Sequence, residues 1–179
     1  VLTSDGTLTI SGSGKMADYN TSSNTAPWYK NRTSVVSVVV KSGVTSLSSY
    51  AFYGCYKLAS AVLEAGMETV GSYAFQGCSS LWSADIPGSV TEMGAYVFAG
   101  CDSLRAVEID GDVFESVFAD CTALREVTFT ENCRIIHAGA FQGCTGLRSL
   151  NLGSAVERIE RQAFSDCEKL SYIYFPKSL

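Results

Sequence analysis

At 179 residues the chain is long enough for one sizeable core, and 46% apolar with 17% charged residues describes a folded protein, not a disordered one. A net charge of −5 and a pI near 4.8 leave no electrostatic footprint for nucleic acid or an anionic membrane. The longest aliphatic run, near Val35 to Val40, is strand-sized, far short of the ~18 apolar residues expected of a membrane-inserting helix.

Residues 1–34 read as a cap. Asp5-Gly6 sits between alternating residues and predicts a β-hairpin. Residues 20–26, rich in Asn, Thr and Ser, predict a loop, and Pro27-Trp28-Tyr29 predicts a helical turn that lays Trp28 over the open end of the residues after it. The start at Val1, with neither Met nor a charged-then-apolar leader, reads as a mature or trimmed chain and leaves secretion open.

From residue 35 to 179 one cadence dominates. Phe52, Phe75, Phe98, Phe118, Phe141 and Phe164 are each followed by Cys at +3 and Leu at +6, and successive cysteines lie 23, 23, 20, 23 and 23 residues apart. A fixed period of this size predicts a solenoid of about six repeats, one of them shortened to 20 residues. Six of the seven cysteines occupy one repeated position, and none sits two to four residues from another as metal ligands would. Buried structural thiols are favoured over disulfides, and Cys133 reads as another small core residue.

Within a repeat, Leu81, Ala84 and Ile86 carry a strand pattern, matched by Leu104/Val107/Ile109, Leu124/Val127/Phe129 and Leu147/Leu150/Leu152. Pro87-Gly88 makes a turn, Val90 and Met93 point inward, and a segment such as 72–78 predicts a single helical or 3₁₀ turn with Phe and Cys buried. Gly54, Gly77, Gly100, Asp120, Gly143 and Asp166 suit the left-handed end of that turn. Helical turns are wider than strands, so the stack is expected to curve with its parallel sheet on the concave side. Residues 110–117 are three shorter than their counterparts; Val113 keeps its inward register, so the turn after the strand should tighten and disturb the curvature locally. No cap is visible before Leu179, which predicts truncation within a longer array.

The unit L-x-x-[AVIL]-x-[IFL]-P-x-x-V-x-x-[IM]-G-x-x-A-F-x-G-C resembles the BspA-like (Treponema pallidum-type) leucine-rich repeat over residues 35–179. The opening G-T-L-T-I-S-G-S-G-K-M and A-P-W-Y-K segments are similar to the cap that precedes such arrays in bacterial surface proteins. The expected fold is thus an α/β solenoid: a right-handed leucine-rich-repeat superhelix with a parallel concave sheet, short helical or 3₁₀ turns on the convex side and an N-terminal β-hairpin cap. The resemblance implies an extracellular or bacterial cell-surface location. Some relatives are adhesins for extracellular-matrix proteins, so the implied partner is an extracellular protein or a glycan. His137 departs from the repeat, standing where Gly71 and Gly94 stand elsewhere.

No catalytic constellation emerges. His137, the single histidine, has no nucleophile motif beside it and reads as a solvated turn residue. Ser11-Gly12-Ser13-Gly14-Lys15 fails as a phosphate loop, because Thr9 replaces its first glycine and Met16 its hydroxyl residue. The sequence therefore predicts a non-enzyme with no cofactor and no metal. Function is sought on the outward strand positions. Register places Val36, Ala59, Trp82, Arg105, Arg125, Arg148 and Ser171 in one column. Val39, Val62, Asp85, Glu108, Thr128, Asn151 and Tyr174 form a second, with Tyr172 beside it. Trp82, Asp85, Arg105, Glu108, Arg125, Arg148, Tyr172 and Tyr174 are the candidate binding residues, Trp, Tyr and Arg being the types that concentrate binding energy. On residue types alone the more economical reading is an ordinary sheet face, its arginines relieved by Glu108 and Glu126. A structural spacer within a larger surface protein is the other function the pattern allows.

Overall fold

The computed structural model describes residues 1–179 as a stack of coils built almost entirely of short parallel strands. In chain order these are β1 (Thr7–Ile10), β2 (Gly14–Lys15), β3 (Ser37–Val40), β4 (Val44–Leu47), β5 (Ser60–Leu63), β6 (Thr69–Val70) and β7 (Ser83–Asp85). They continue as β8 (Glu92–Met93), β9 (Ala106–Ile109), β10 (Glu126–Phe129), β11 (Ile135–Ile136), β12 (Ser149–Asn151), β13 (Arg158–Ile159) and β14 (Tyr172–Tyr174). The one helix is a 3₁₀ segment at Tyr29–Ser34, beside the predicted Pro-Trp turn.

Each coil has three hydrogen-bonded sides. The first side is the anticipated sheet, with β1, β3, β5 and β7 paired in that order, then β9 with β10 and β12 with β14. The second is another parallel sheet, β2-β4-β6-β8 and later β11-β13, which sequence periodicity could not reveal because most of its strands hold only two residues. The third is a ladder between turns. Phe52 N–H donates to Ala74 O at 2.7 Å, Phe75 to Val97 at 2.9 Å, Phe98 to Val117 at 2.8 Å, Phe118 to Ala140 at 2.9 Å and Phe141 to Ala163 at 2.8 Å.

The expected helical turns occur as single i→i+3 turns that never propagate; Cys55 N–H, for example, reaches Phe52 O at 3.1 Å. Left-handed residues on both flanks stop them. Gly54, Gly77, Asp120 and their equivalents take positive φ as anticipated, and so do Tyr50, Tyr73, Tyr96, Ser116, Gly139 and Gln162 two residues before each Phe. A helix cannot pass through such a residue, and the freed backbone groups bond to the next coil instead.

A single apolar core runs from Leu8 to Cys167. Its axis is a ladder of stacked phenylalanines with ring centroids 5.1 Å (Phe52–Phe75) to 5.8 Å (Phe98–Phe118) apart. Trp28 closes its N-terminal end, stacking on Phe52 at 5.7 Å and donating its indole N–H to Ala51 O at 2.7 Å. The N-terminal hairpin forms through an antiparallel Leu2–Leu8 bridge, after which β1 joins β3 in parallel.

The cysteines line the ladder as free, buried thiols. Sγ of Cys78 lies 3.2 Å from Phe52 O, and the contact recurs from Cys101 to Phe75, Cys121 to Phe98, Cys144 to Phe118 and Cys167 to Phe141. The side chain thus fills a small apolar site and offers a weak S–H donor to the preceding coil's carbonyl. Burial pushes every thiol up, Cys133 to about 11 and Cys55 to about 12. Because the folded values exceed the unfolded value of about 8.5, these thiols leave stability intact below that pH and erode it as pH rises toward the folded values. Urea midpoints should therefore hold from pH 6 to 8 and fall above about 8.5, with Cys101→Ala removing roughly 1.4 kcal/mol per pH unit of that slope. A slope unchanged by the substitution would refute the assignment. All seven thiols should resist a thiol reagent until the protein is unfolded.

Candidate functional site

The outward columns form where register placed them. Val39, Val62 and Asp85 align across β3, β5 and β7, Glu108 faces Thr128, and Asn151 faces Tyr174. At the strand entrances Ala59 N–H donates to Val36 O, Trp82 to Ala59, Arg125 to Arg105 and Ser171 to Arg148. Trp82 is 61% exposed, Tyr172 68% and Tyr174 64%; Asp85, Glu108 and the three arginines are exposed too.

The expected charge relief is not made. Neither Glu108 nor Glu126 comes within ion-pair distance of Arg105, Arg125 or Arg148. Acid–base pairs sit instead on the turns between the sheets: Lys41 with Glu64 at 2.6 Å, and Arg134 with Glu157. Glu126 N–H bonds to Arg105 O, but its side chain occupies the strand position after Arg125. Arg105 and Arg125 therefore stand side by side without a counter-ion. Arg125→Glu should leave stability unchanged or raise it by up to ~1 kcal/mol at low salt, with the gain shrinking at high salt. Thermal melts in 20 mM and 500 mM NaCl test this, and a loss above ~1 kcal/mol would contradict it.

The candidates do not make one continuous strip. The first sheet breaks between β7 and β9, so Trp82 and Asp85 lie on one bank and Arg105 and Glu108 on the other. β10 and β12 remain neighbours without ladder pairing. The second sheet breaks at the same level, since β8 pairs only with β6 while Val113 bridges to Ile136. The turn ladder crosses intact through the Phe98–Val117 bond.

A cleft of about 1090 Å³ fills the split. The shortened repeat causes it. Three residues before the inward position of the second sheet stand Val44, Met67, Val90, Cys133 and Val156, all inward fillers; before Val113 stands exposed Asp110. One filler is missing from the column, and β9 pairs with β10 but not with β7. The signal was legible in the 20-residue interval, but only as a tighter turn; that both sheets would part was not.

Two further features escaped sequence reading. Tyr50, Tyr73 and Tyr96 stack at 4.9 and 5.3 Å on the turn side, beside a shallow hollow of about 330 Å³. Their recurrence two residues before Phe was the available signal. His137 is not a solvated lone residue. Its Nδ1 lies 3.2 Å from Glu160 Oε2, a hydrogen bond that heads the interactions holding the Glu160 carboxyl below its usual range. A Cβ at Gly71 or Gly94 would lie 2.2 or 2.3 Å from the Ser49 or Ser72 nitrogen, whereas Phe114 and His137 fill the equivalent positions beyond the cleft and stack at 6.3 Å.

The family model of the BspA-type leucine-rich repeat region matches residues 26–116 and 112–179, with six copies. The chain belongs to the BspA-type leucine-rich repeat family. Among solved structures, this BspA-type array is similar to the T. pallidum leucine-rich repeat protein, at 28% identity over 79% of the chain and 71% of that protein, with a TM-score of 0.74. A leucine-rich cell surface protein from Faecalibacterium prausnitzii matches at 28% identity over 97% of the chain and 51% of its own length, TM-score 0.72. A leucine-rich repeat protein from Bacteroides ovatus shares the fold at 24% identity and TM-score 0.77, over 96% of the chain and 46% of that protein. The chain thus spans about half the length of the last two. A comparison with curated proteins finds no match.

Proposed function

We propose that this BspA-type array is a non-catalytic interaction module of a bacterial cell-surface or secreted protein, adhering to host or neighbouring-cell proteins through the outer face of its first sheet. One observation carries the reading: Arg105, Arg125 and Arg148 project from that face without counter-ions, flanked by exposed Trp82, Tyr172 and Tyr174. Unpaired arginines and open aromatic faces are the groups that form binding hot spots once desolvated by a partner. The surface location is supported by the F. prausnitzii neighbour, named as a cell surface protein. A non-catalytic role is supported by the chemistry of the reactive side chains: the thiols are buried and held protonated, and the one imidazole is tied to Glu160.

A spacer role is the second reading, motivated by neighbours about twice as long as this chain. Pull-downs of extracellular-matrix proteins with wild type and with Trp82→Ala/Arg125→Glu distinguish the two. Adhesion predicts capture by wild type and at least a tenfold loss in the double variant, since each lost anchor costs on the order of 1–2 kcal/mol. Equal capture by both would remove this face as the binding surface, and capture by neither would favour the spacer.

A further inference from the structure

The cleft differs from an ordinary surface groove in what its walls offer. On one bank, β7 is bonded only to β5; on the other, β9 is bonded only to β10. Each therefore presents an edge of backbone N–H and C=O groups without ladder partners, facing the other across the gap. Proteins normally cover or blunt such edges because they are templates for another strand. The floor between them is apolar, made by the inward faces of Ala84, Val107 and Val113 over Phe98 and Phe118. Its banks run from Trp82 to Asp85 and from Arg105 to Ile109, four to five residues or roughly 15 Å of extended chain, and the far end narrows where a Cβ at Gly88 would lie 3.5 Å from Asp110 Oδ2. The volume of about 1090 Å³ sits at the top of the range for small-molecule pockets. An elongated apolar trough between two open strand edges suits a peptide better than a compact ligand.

Charge gives the occupant its polarity. At the C-terminal ends of the banks stand Asp85, Glu108, Asp110 and Asp112, none of them in an ion pair. Asp110 accepts from Thr130 Oγ1 and Asn132 Nδ2, both at 2.7 Å, which holds its carboxyl below the usual range; Asp112 accepts the Arg134 and Ile135 amides at 2.9 and 2.8 Å. These bonds fix the carboxylates in place without neutralising them. Arg105, the cleft's one basic side chain, lies at the opposite end beside Trp82.

We infer that the cleft binds an extended segment of a partner protein by strand addition, the segment running parallel to β7 and β9 with alternate β-branched apolar residues on the floor and lysine or arginine after them over the acidic end. Inserted in this way it restores the interrupted parallel ladder, its backbone supplying affinity and its side chains specificity. The inference deepens the proposed interaction role by naming a second place on the first sheet, beside the Arg125 face, and what it takes, and it rests on that reading for its biological setting.

The test uses the whole chain and a fluorescein-labelled peptide, Val-Thr-Val-Thr-Val-Lys-Lys, followed by fluorescence anisotropy and by hydrogen exchange. Saturable binding is expected, with slowed exchange of amides in β7 and β9. N-methylation of alternate peptide amides, and replacement of the lysines by glutamates, should each weaken binding at least about tenfold. Two variants block the cleft independently. Ala84→Phe fills the floor, and replacing Asp110-Gly111-Asp112 with Pro-Gly-Ser-Val-Thr-Glu restores the full-length turn and its missing filler; both should abolish binding. The inference is overturned if the wild type does not bind, if the N-methylated peptide binds equally, or if binding survives Ala84→Phe in a folded protein. It is also overturned if the β7 and β9 amides are already protected by concentration-dependent self-association, which would make a second copy the occupant. No matrix protein enters the titration, so failed capture in the pull-down leaves the cleft standing, and a failed titration leaves the Arg125 face standing.

Discussion

Everything in this molecule follows from the obligation of each backbone amide to find a partner in the adjacent coil. The coils have almost no helix to satisfy their own hydrogen bonds, so they satisfy them in one another, along two sheets and a ladder of turns. That fixes the rise of the stack. The fixed rise in turn sets the phenylalanines at stacking distance and brings five of the cysteine thiols to a phenylalanine carbonyl of the coil before. A residue repeated every 23 positions is the sequence-level trace of a backbone that must return to the same place.

This explains which parts of the structure were legible in the sequence. Phe, Cys and Leu at a constant interval could hardly be anything other than interior columns, and Trp28 after Pro27 could be placed over the open end because an exposed phenylalanine ladder demands a lid. The outward columns followed from the strand period alone. The second sheet left no comparable trace, since strands as short as Thr69–Val70 carry no measurable alternation. The left-handed tyrosines were hidden for another reason. Tyr50, Tyr73 and Tyr96 are not residues that favour positive φ, and they hold it because stacking with one another and inter-coil bonds outweigh a cost of about 1–2 kcal/mol each.

The candidate site was half legible. Sequence register put Trp82, Arg105, Arg125 and Arg148 at outward positions, but strand period does not fix which way exposed side chains such as Glu108 and Glu126 extend, and neither reaches an arginine. The deletion at 110–117 was visible as a shorter turn. Its consequence was not, because losing one inward filler decides whether two sheets stay closed, and that depends on the whole column from Val44 to Val156. Local reading finds residues, whereas the opening of a cleft is a property of a stack.

The intact turn ladder beside the two broken sheets has a mechanical consequence. Above and below the shortened coil the stack is tied along several seams; across it, the backbone bonds run along one seam only, near Phe98 and Val117. A load applied along the solenoid axis, such as tension between a tethered end and a captured partner, concentrates on that seam. The molecule is built as two stiff blocks joined at a spine, and a strand seated in the gap would act as a rivet between them.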